Sequence, residues 1–157
     1  EEQCDGTQAT ACAGSCQANC TCAACANAIT DPGVKVFVKT RNAVGQLVVK
    51  ALLPLATYGG APVTIRLDDT DSTPIVQARI GSVPPQGTTG TKFQYKAKTD
   101  GLQKVQLKQK TPGVWPLGVK ANRWFSAAAA NQPAATTRLT VTIGTQCATH
   151  AATLKVD

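Results

Sequence analysis

The sequence predicts an all-β protein: an antiparallel β-sandwich, immunoglobulin-like or jelly-roll-like, preceded by a disulfide-rich and mostly irregular N-terminal arm. From residue 34 onward, apolar and polar residues alternate in short runs, and turns rich in Gly, Pro and Asp separate these runs roughly every 8–12 residues. Before that point, six of the seven cysteines lie within the first 25 residues. We therefore divide the chain into a Cys-rich arm and linker, residues 1–33, and a β-sandwich domain, residues 34–157.

The N-terminal arm is predicted to be held together by disulfides rather than by a hydrophobic core. Apart from cysteine, residues 1–26 are mostly Ala, Thr, Gln, Asn and Gly, so order there must come from cross-links. Residues 27–33 contain Asp31-Pro32-Gly33 and are predicted to form a turn or linker. Because the cysteine total is odd, intrachain pairing leaves one cysteine as a free thiol, a ligand or a bond to another molecule. The predicted disulfide cysteines are Cys4, Cys12, Cys16, Cys20, Cys22, Cys25 and Cys147.

The first half of the sandwich domain alternates predicted strands with turns. The run at residues 46–53 is nearly continuous apolar β sequence, which is typical of a central strand. Turns are predicted at residues 42–45 and at Tyr58-Gly59-Gly60. The predicted strands are residues 34–39, 46–53, 63–68 and 74–80.

The second half continues this pattern after a loop over residues 82–90. Asp100-Gly101 is a hairpin signal, and Thr111-Pro112-Gly113 turns the chain again. The alanine-rich residues 124–130 are predicted to form one or two helical turns that end before Pro133. The predicted strands are residues 92–98, 104–108, 114–121, 138–143 and 147–156.

Two sheets with alternating faces would bury one set of apolar side chains between them. The chain has room for one such domain plus the arm, and we find no internal repeat. The predicted core consists of Val34, Val36, Val48, Leu53, Val63, Ile65, Leu67, Phe93, Tyr95, Val105, Leu107, Trp115, Trp124, Leu139, Val141 and Ile143.

The charge is distributed unevenly along the chain. Residues 1–33 carry four acidic residues and no Lys or Arg, whereas residues 34–157 have a net charge of +11, and the total is +7. An acidic arm on a basic body can fold back on that body or dock on another copy, and ordinary solubility charge is the alternative interpretation. No apolar run reaches the roughly 18 residues of a membrane span. The acidic start Glu1-Glu2-Gln3 predicts an exported, mature form from which a signal peptide has been removed.

The order of residues in the arm and the body resembles a known group of exported proteins. Cys4-Asp5-Gly6, followed by the other arm cysteines, resembles the short Cys-rich segments of surface and secreted proteins of myxobacteria and related δ-proteobacteria. The body is similar to uncharacterised exported proteins of such bacteria at Arg66-Leu67-Asp68-Asp69 and at Trp124-Phe125 with its following alanines. The resemblance implies an extracellular or surface-associated protein and supplies no catalytic or binding residues.

Two groups of residues are candidate metal ligands. Cys22 and Cys25 form a CxxC whose thiolates could bind zinc, but disulfides are favoured in an exported protein. Asp68, Asp69 and Asp71 are compatible with a calcium site, because calcium prefers oxygen ligands. Such Asp-rich stretches also form ordinary turns. No other cofactor is predicted.

The sequence does not predict an enzyme. Cys147 and His150 could be proposed as nucleophile and base, but residues three apart in a strand point to opposite faces. Outward lysines form a candidate basic face for nucleic acid or an anionic polysaccharide, and such lysines also protect sheet edges. Nucleic acid is not predicted as a partner, since aromatic residues that would stack on bases are scarce. The lysines are Lys92, Lys96, Lys98, Lys104, Lys108 and Lys110.

We predict an extracellular structural protein, a subunit of a self-assembling cell-surface filament or layer. Its partners would be copies of itself and an anionic surface polymer, and exchange of the arm or of the terminal strand would join the subunits. The predicted assembly residues are Cys147, His150, Leu154 and Val156. The alternative is a secreted binding module for polysaccharide, which would need an exposed aromatic platform. Trp115, Trp124 and Tyr58 are the candidates for that platform.

Overall fold

The computed structural model describes residues 25, 27–39, 43–53, 55–69, 74–126 and 136–156. These residues form nine β-strands and contain no helix, so the all-β prediction is confirmed. The strands are β1 (Thr30–Lys39), β2 (Val44–Leu53), β3 (Val63–Asp69), β4 (Pro74–Ile80), β5 (Lys92–Lys96), β6 (Gly101–Lys108), β7 (Trp115–Ser126), β8 (Thr136–Ile143) and β9 (Gln146–Val156).

The nine strands are hydrogen-bonded in the order β4-β3-β8-β9-β1-β2-β7-β6-β5. Every neighbouring pair is antiparallel except β1 and β9, which run parallel. We call β4-β3-β8-β9 the four-strand sheet and β1-β2-β7-β6-β5 the five-strand sheet. The two pack face to face as a sandwich.

The segment before β1 already belongs to the sheet. The Ile29 amide donates to the Thr149 carbonyl at 2.9 Å, and the Thr149 amide donates to the Asn27 carbonyl at 2.8 Å. Further along, Val36 pairs with Leu154. The structure thus differs from the predicted turn or linker at residues 27–33. The register shifts between Thr30 and Gly33, so that Asp31-Pro32-Gly33 is accommodated as an irregularity within β1.

The core lies between the two sheets and contains most of the predicted side chains. Val48 is an exception, because Leu47 and Val49 take the core face of β2 and leave Val48 half-buried on the other face. Tyr95 and Trp124 are also only half-buried. The side chains of Val34 and Val36 lie outside the described part of the structure. The predicted residues that are buried are Leu53, Val63, Ile65, Leu67, Phe93, Val105, Leu107, Trp115, Leu139, Val141 and Ile143.

The predicted helical turns at residues 124–130 are wrong where the structure describes them, since β7 continues to Ser126. Residues 127–130 lie outside the described part. Phe125 pairs with Gly45 of β2, and the Phe125 ring occupies the space that a side chain at position 45 would need. Arg123 adopts a φ of 47° where the β2–β7 register shifts. Packing against β2 therefore overrides the helical propensity of this segment.

Candidate functional site

A single outer face of the sandwich carries a concentration of lysines. In the five-strand sheet, Val105 and Leu107 of β6 point into the core, so Lys104 and Lys108 point outward. The same alternation places lysines of β1, β2, β5 and β7 on this face. We call it the lysine face; it comprises Lys35, Lys50, Lys92, Lys96, Lys104, Lys108 and Lys120.

The strand register brings these lysines into rows. Lys96 is directly opposite Lys104, and Lys104 is directly opposite Lys120. The same row continues through Val48 to Lys35 on β1. Neighbouring strands lie about 4.8 Å apart, so the backbone positions of these three lysines follow one another at roughly that spacing.

Two further rows lie on one side of the first. Lys92 is opposite Lys108. Between the two lysine rows, the Gln94 side-chain Nε2 donates to Gln106 Oε1 at 3.4 Å, and Gly118 lies opposite Gln106 on β7. None of the described side chains in the three rows is acidic. The predicted lysines Lys98 and Lys110 lie in turns that follow β5 and β6.

The outer face of the four-strand sheet has a different composition. Thr64 pairs with Thr142, and the Thr149 hydroxyl donates to the Leu139 carbonyl at 2.9 Å. Its basic residues are three arginines, with Asp68 among them, and Lys155 near the end of β9. We call it the threonine face; it comprises Thr64, Thr140, Thr142, Thr149 and Thr153 with Arg66, Asp68, Arg79 and Arg138.

The predicted calcium ligands are only partly described. Asp68 is buried and accepts a hydrogen bond from Arg66 Nε at 2.8 Å. Burial raises the pKa of the Asp68 carboxyl, and the Arg66 hydrogen bond and the Arg66 and Arg138 charges counter this shift. Asp69 is buried beside it, and Asp71 lies outside the described residues. Within the described ranges no group of three or more His, Cys, Asp or Glu side chains could hold a metal ion, so the calcium site stays a prediction.

The arm is covalently fixed to the sandwich. Cys25 and Cys147 form a disulfide with a Cα–Cα distance of 5.9 Å, across 122 residues of sequence. The Asn27 side-chain amide donates to the Cys147 carbonyl at 3.1 Å. Of the seven cysteines, five therefore remain, and five cannot all pair among themselves. They are Cys4, Cys12, Cys16, Cys20 and Cys22, which lie outside the described residues.

The predicted assembly residues all lie on β9, which pairs with β8 on one edge and β1 on the other. His150 is half-buried opposite Leu139, on the face of the strand opposite to Cys147. Leu154 is buried, and Val156 pairs with Val38 of β1. Exchange of this terminal strand between subunits would therefore have to break two existing strand pairings.

A cavity of about 260 Å³ lies beside the disulfide, at the end of the sandwich where β8 turns into β9. Apolar side chains dominate its lining, and Asn27 and Gln146 are its polar members. The other lining residues are Leu53, Leu55, Val141, Ile143, Cys147 and Ala148.

The three candidates for an aromatic platform, Tyr58, Trp115 and Trp124, do not form an exposed platform. Trp115 is 1% exposed, and its indole N–H has no hydrogen-bond partner among the described residues. Tyr58 is buried, and its hydroxyl donates to the Ala61 carbonyl at 2.6 Å while accepting from the Val83 amide at 3.0 Å. Trp124 is half-buried against the core. Trp115 and Tyr58 are therefore core residues and are not accessible to a sugar ligand.

No protein-family model, curated protein or solved structure matches this chain. The resemblance to exported proteins of myxobacterial type therefore stays a prediction. In the described residues, no helix exists that could span a membrane. The proposals below therefore start from the structure of the chain itself. This is an all-β sandwich with a lysine face, a threonine face and an arm that a disulfide joins to β9.

Proposed function

We propose that this protein is an extracellular structural protein, a subunit that assembles with copies of itself at a cell surface. The Cys25–Cys147 disulfide is the observation that carries the proposal. Disulfides persist in oxidising compartments, which favours an exported protein. The bond also fixes the start of the sandwich to β9, so a force or contact applied to the arm reaches the folded domain directly.

The remaining cysteines supply the link between subunits. With Cys25 and Cys147 bonded to each other, the five cysteines of residues 1–24 are left, and one of them has no partner within these residues. We propose that it bonds to the same cysteine of a second copy. A contact between identical surfaces across a two-fold axis accommodates one such symmetric bond per pair of subunits.

The two ends of the strand order support a second contact. On the outer edge of β5, the Gln94 amide donates to the Pro84 carbonyl and the Gln86 amide donates to the Lys92 carbonyl, both at 2.8 Å. Residues 84–86 thereby cover that edge. β4 pairs only with β3 in the described part of the chain. An uncovered edge offers backbone groups to another strand, so β4 is the proposed docking edge for a second copy.

Two different contacts on one subunit allow growth beyond a dimer. A symmetric arm disulfide joins two copies, and the β4 edge of each copy remains available for another pair. Repetition of both contacts extends the assembly into a filament or layer rather than closing it. An anionic polymer of the cell surface is the second proposed partner, and the lysine face is the observation that favours it.

Size-exclusion chromatography with light scattering, on exported protein purified without reductant, tests this function. We expect species that are multiples of the 16.3 kDa chain, and reductant should shift them to smaller sizes. Single serine substitutions of the five arm cysteines should identify one that abolishes the covalent dimer. The double variant Cys25→Ser/Cys147→Ser is the control, because its cysteines bond internally and the dimer should persist. A 16.3 kDa monomer at every concentration without reductant would overturn the proposal.

A further inference from the structure

We propose that the lysine face binds a linear anionic polysaccharide that lies across the strands of the five-strand sheet. The inference rests on two parts of the proposed function, the extracellular setting and the anionic polymer as partner, and it names the class of that polymer. It does not depend on self-assembly, because all seven lysines belong to one copy of the chain.

Stability does not account for this concentration of charge. Like charges directly opposite each other on neighbouring strands destabilise a sheet, and Lys104 faces Lys96 on one side and Lys120 on the other. Lysines protect sheet edges from unwanted pairing, but Lys50 and Lys120 lie on the interior strands β2 and β7, which have no free edge. A partner of opposite charge explains lysines at interior positions, whereas edge protection does not.

The row geometry fits a polymer that runs perpendicular to the strands. Lys96, Lys104 and Lys120 project from three consecutive strands, and Lys35 extends the row two strands further. At about 4.8 Å per strand, the row spans roughly 19 Å. A chain with a regularly repeated carboxylate or sulfate would meet an ammonium group from successive strands along this path.

The strip between the lysine rows is polar and flat. Gln94 and Gln106 present side-chain amides, which can donate to and accept from sugar hydroxyls. Gly118 continues this strip without a side chain, and a Cβ there would lie 4.0 Å from Gln106 Cβ. The centre of the lysine face therefore leaves room for a sugar ring to lie close to the sheet.

Three other occupants fit less well. Single-stranded nucleic acid is bound through aromatic stacking, and none of the described side chains in the three rows is aromatic. Membrane-surface elements bury an apolar face, whereas the row from Lys96 to Lys35 contains a single apolar side chain, Val48. The chain's own arm carries Glu1, Glu2 and Asp5 in residues 1–24, which would leave most of the seven lysine charges unneutralised.

Titration of the exported protein with alginate by calorimetry, at low salt, tests the inference. The variant Lys104→Gln/Lys120→Gln should lose about tenfold in affinity, because it removes two adjacent cations from the row that begins at Lys96. The matched control Arg79→Gln/Arg138→Gln removes the same charge from the threonine face and should stay within about twofold. Neutral dextran should not bind, and 1 M salt should abolish alginate binding, since it shortens the Debye length to about 3 Å.

Several outcomes would overturn this inference. The absence of alginate binding, or an equal loss in both double variants, would show that the lysine face is not the site. Tighter binding to oligothymidine or to phosphatidylglycerol vesicles would assign the face to nucleic acid or membrane instead. A large gain in affinity from Glu1→Gln/Glu2→Gln/Asp5→Asn would show that the arm is the occupant. Alginate binding by a strictly monomeric protein would support this inference while overturning the proposed assembly.

Discussion

The two outer faces of the sandwich differ in charge although the same alternation of residues builds both. The lysine face places like charges opposite each other, as at Lys96 and Lys104, whereas on the threonine face Arg66 is paired with Asp68. Threonine is a favourable strand residue, and paired charges are self-compensating. The threonine face therefore carries favourable strand residues and one compensated ion pair, while the lysine face carries like charges that a partner of opposite charge would neutralise. The predictions below test this difference.

The largest expected effect concerns the disulfide, whose Cys147 lies on the threonine face opposite Thr142. Replacing both cysteines, Cys25→Ser/Cys147→Ser, should lower the free energy of unfolding by about 2–5 kcal/mol, because the bond closes a long loop and restricts the unfolded chain. Urea denaturation measures the change. Cys4→Ser is the control: it leaves this bond intact and should unfold at nearly the wild-type urea concentration. An unchanged midpoint in the double variant would show that the covalent anchor does not stabilise the sandwich.

The second prediction compares two glycines on opposite faces of the five-strand sheet. A methyl group at Gly45, on the core face, would overlap the Phe125 ring. Gly45→Ala should therefore destabilise the protein by about 1–3 kcal/mol through overpacking. Gly118, on the lysine face, has ordinary space around a Cβ, so Gly118→Ala should change stability by less than about 1 kcal/mol. Thermal unfolding measures both, and equal losses would contradict the assignment of the two faces.

Much of the fold was predictable because strand alternation and turn residues are local signals. The nine strands and most of the core, such as Ile65 and Leu107, follow from a period of two. The end of β7 was not predictable in this way. The alanine run that follows Ser126 favours a helix, whereas β7 stays extended as far as Ser126, and Phe125 packs there on Gly45, eighty residues earlier in sequence.

The candidate surfaces were predictable only in part. Outward lysines such as Lys104 can be recognised from alternation alone, but Lys120 joins their row only through the β6–β7 register. Register depends on pairings between distant strands, which one sequence does not reveal. The bond between Cys25 and Cys147 was also not deducible, because cysteine spacing leaves many connectivities open.

The third prediction tests the repulsion within the lysine face. Lys104→Glu should raise the free energy of unfolding by about 0.5–1 kcal/mol at low salt, because the new carboxylate faces Lys96 and Lys120. Salt at 1 M should remove most of that gain, and alginate affinity should fall at the same time. Thr142→Glu on the threonine face is the control, since its opposite neighbours Thr64 and Cys147 carry no charge. A loss of stability in Lys104→Glu would contradict the repulsion.

The smallest expected effect is a pH dependence that belongs to the threonine face. Burial raises the folded-state pKa of Asp68 above its ordinary value of 3.8, so the folded protein retains this proton to a higher pH than the unfolded chain does. The stability that this shift contributes is fully present below pH 3.8 and is lost as the pH rises through the raised pKa. The variant Asp68→Asn has no carboxyl at this position, so it should not show this loss of unfolding free energy as the pH rises. It also weakens the contact with Arg66.

Urea denaturation of wild type and Asp68→Asn across that interval isolates the effect, because the other carboxyl groups are common to both proteins. The difference in unfolding free energy, wild type minus variant, should decrease as the pH rises through the raised pKa. Asp100→Asn is the control, because it removes a carboxyl that is 66% exposed near Arg123 rather than a buried one. If the unfolding free energy of wild type minus that of Asp68→Asn grew with pH, the charges of Arg66 and Arg138 would outweigh the burial of Asp68. The ion pairs of the threonine face would then stabilise the protein at neutral pH.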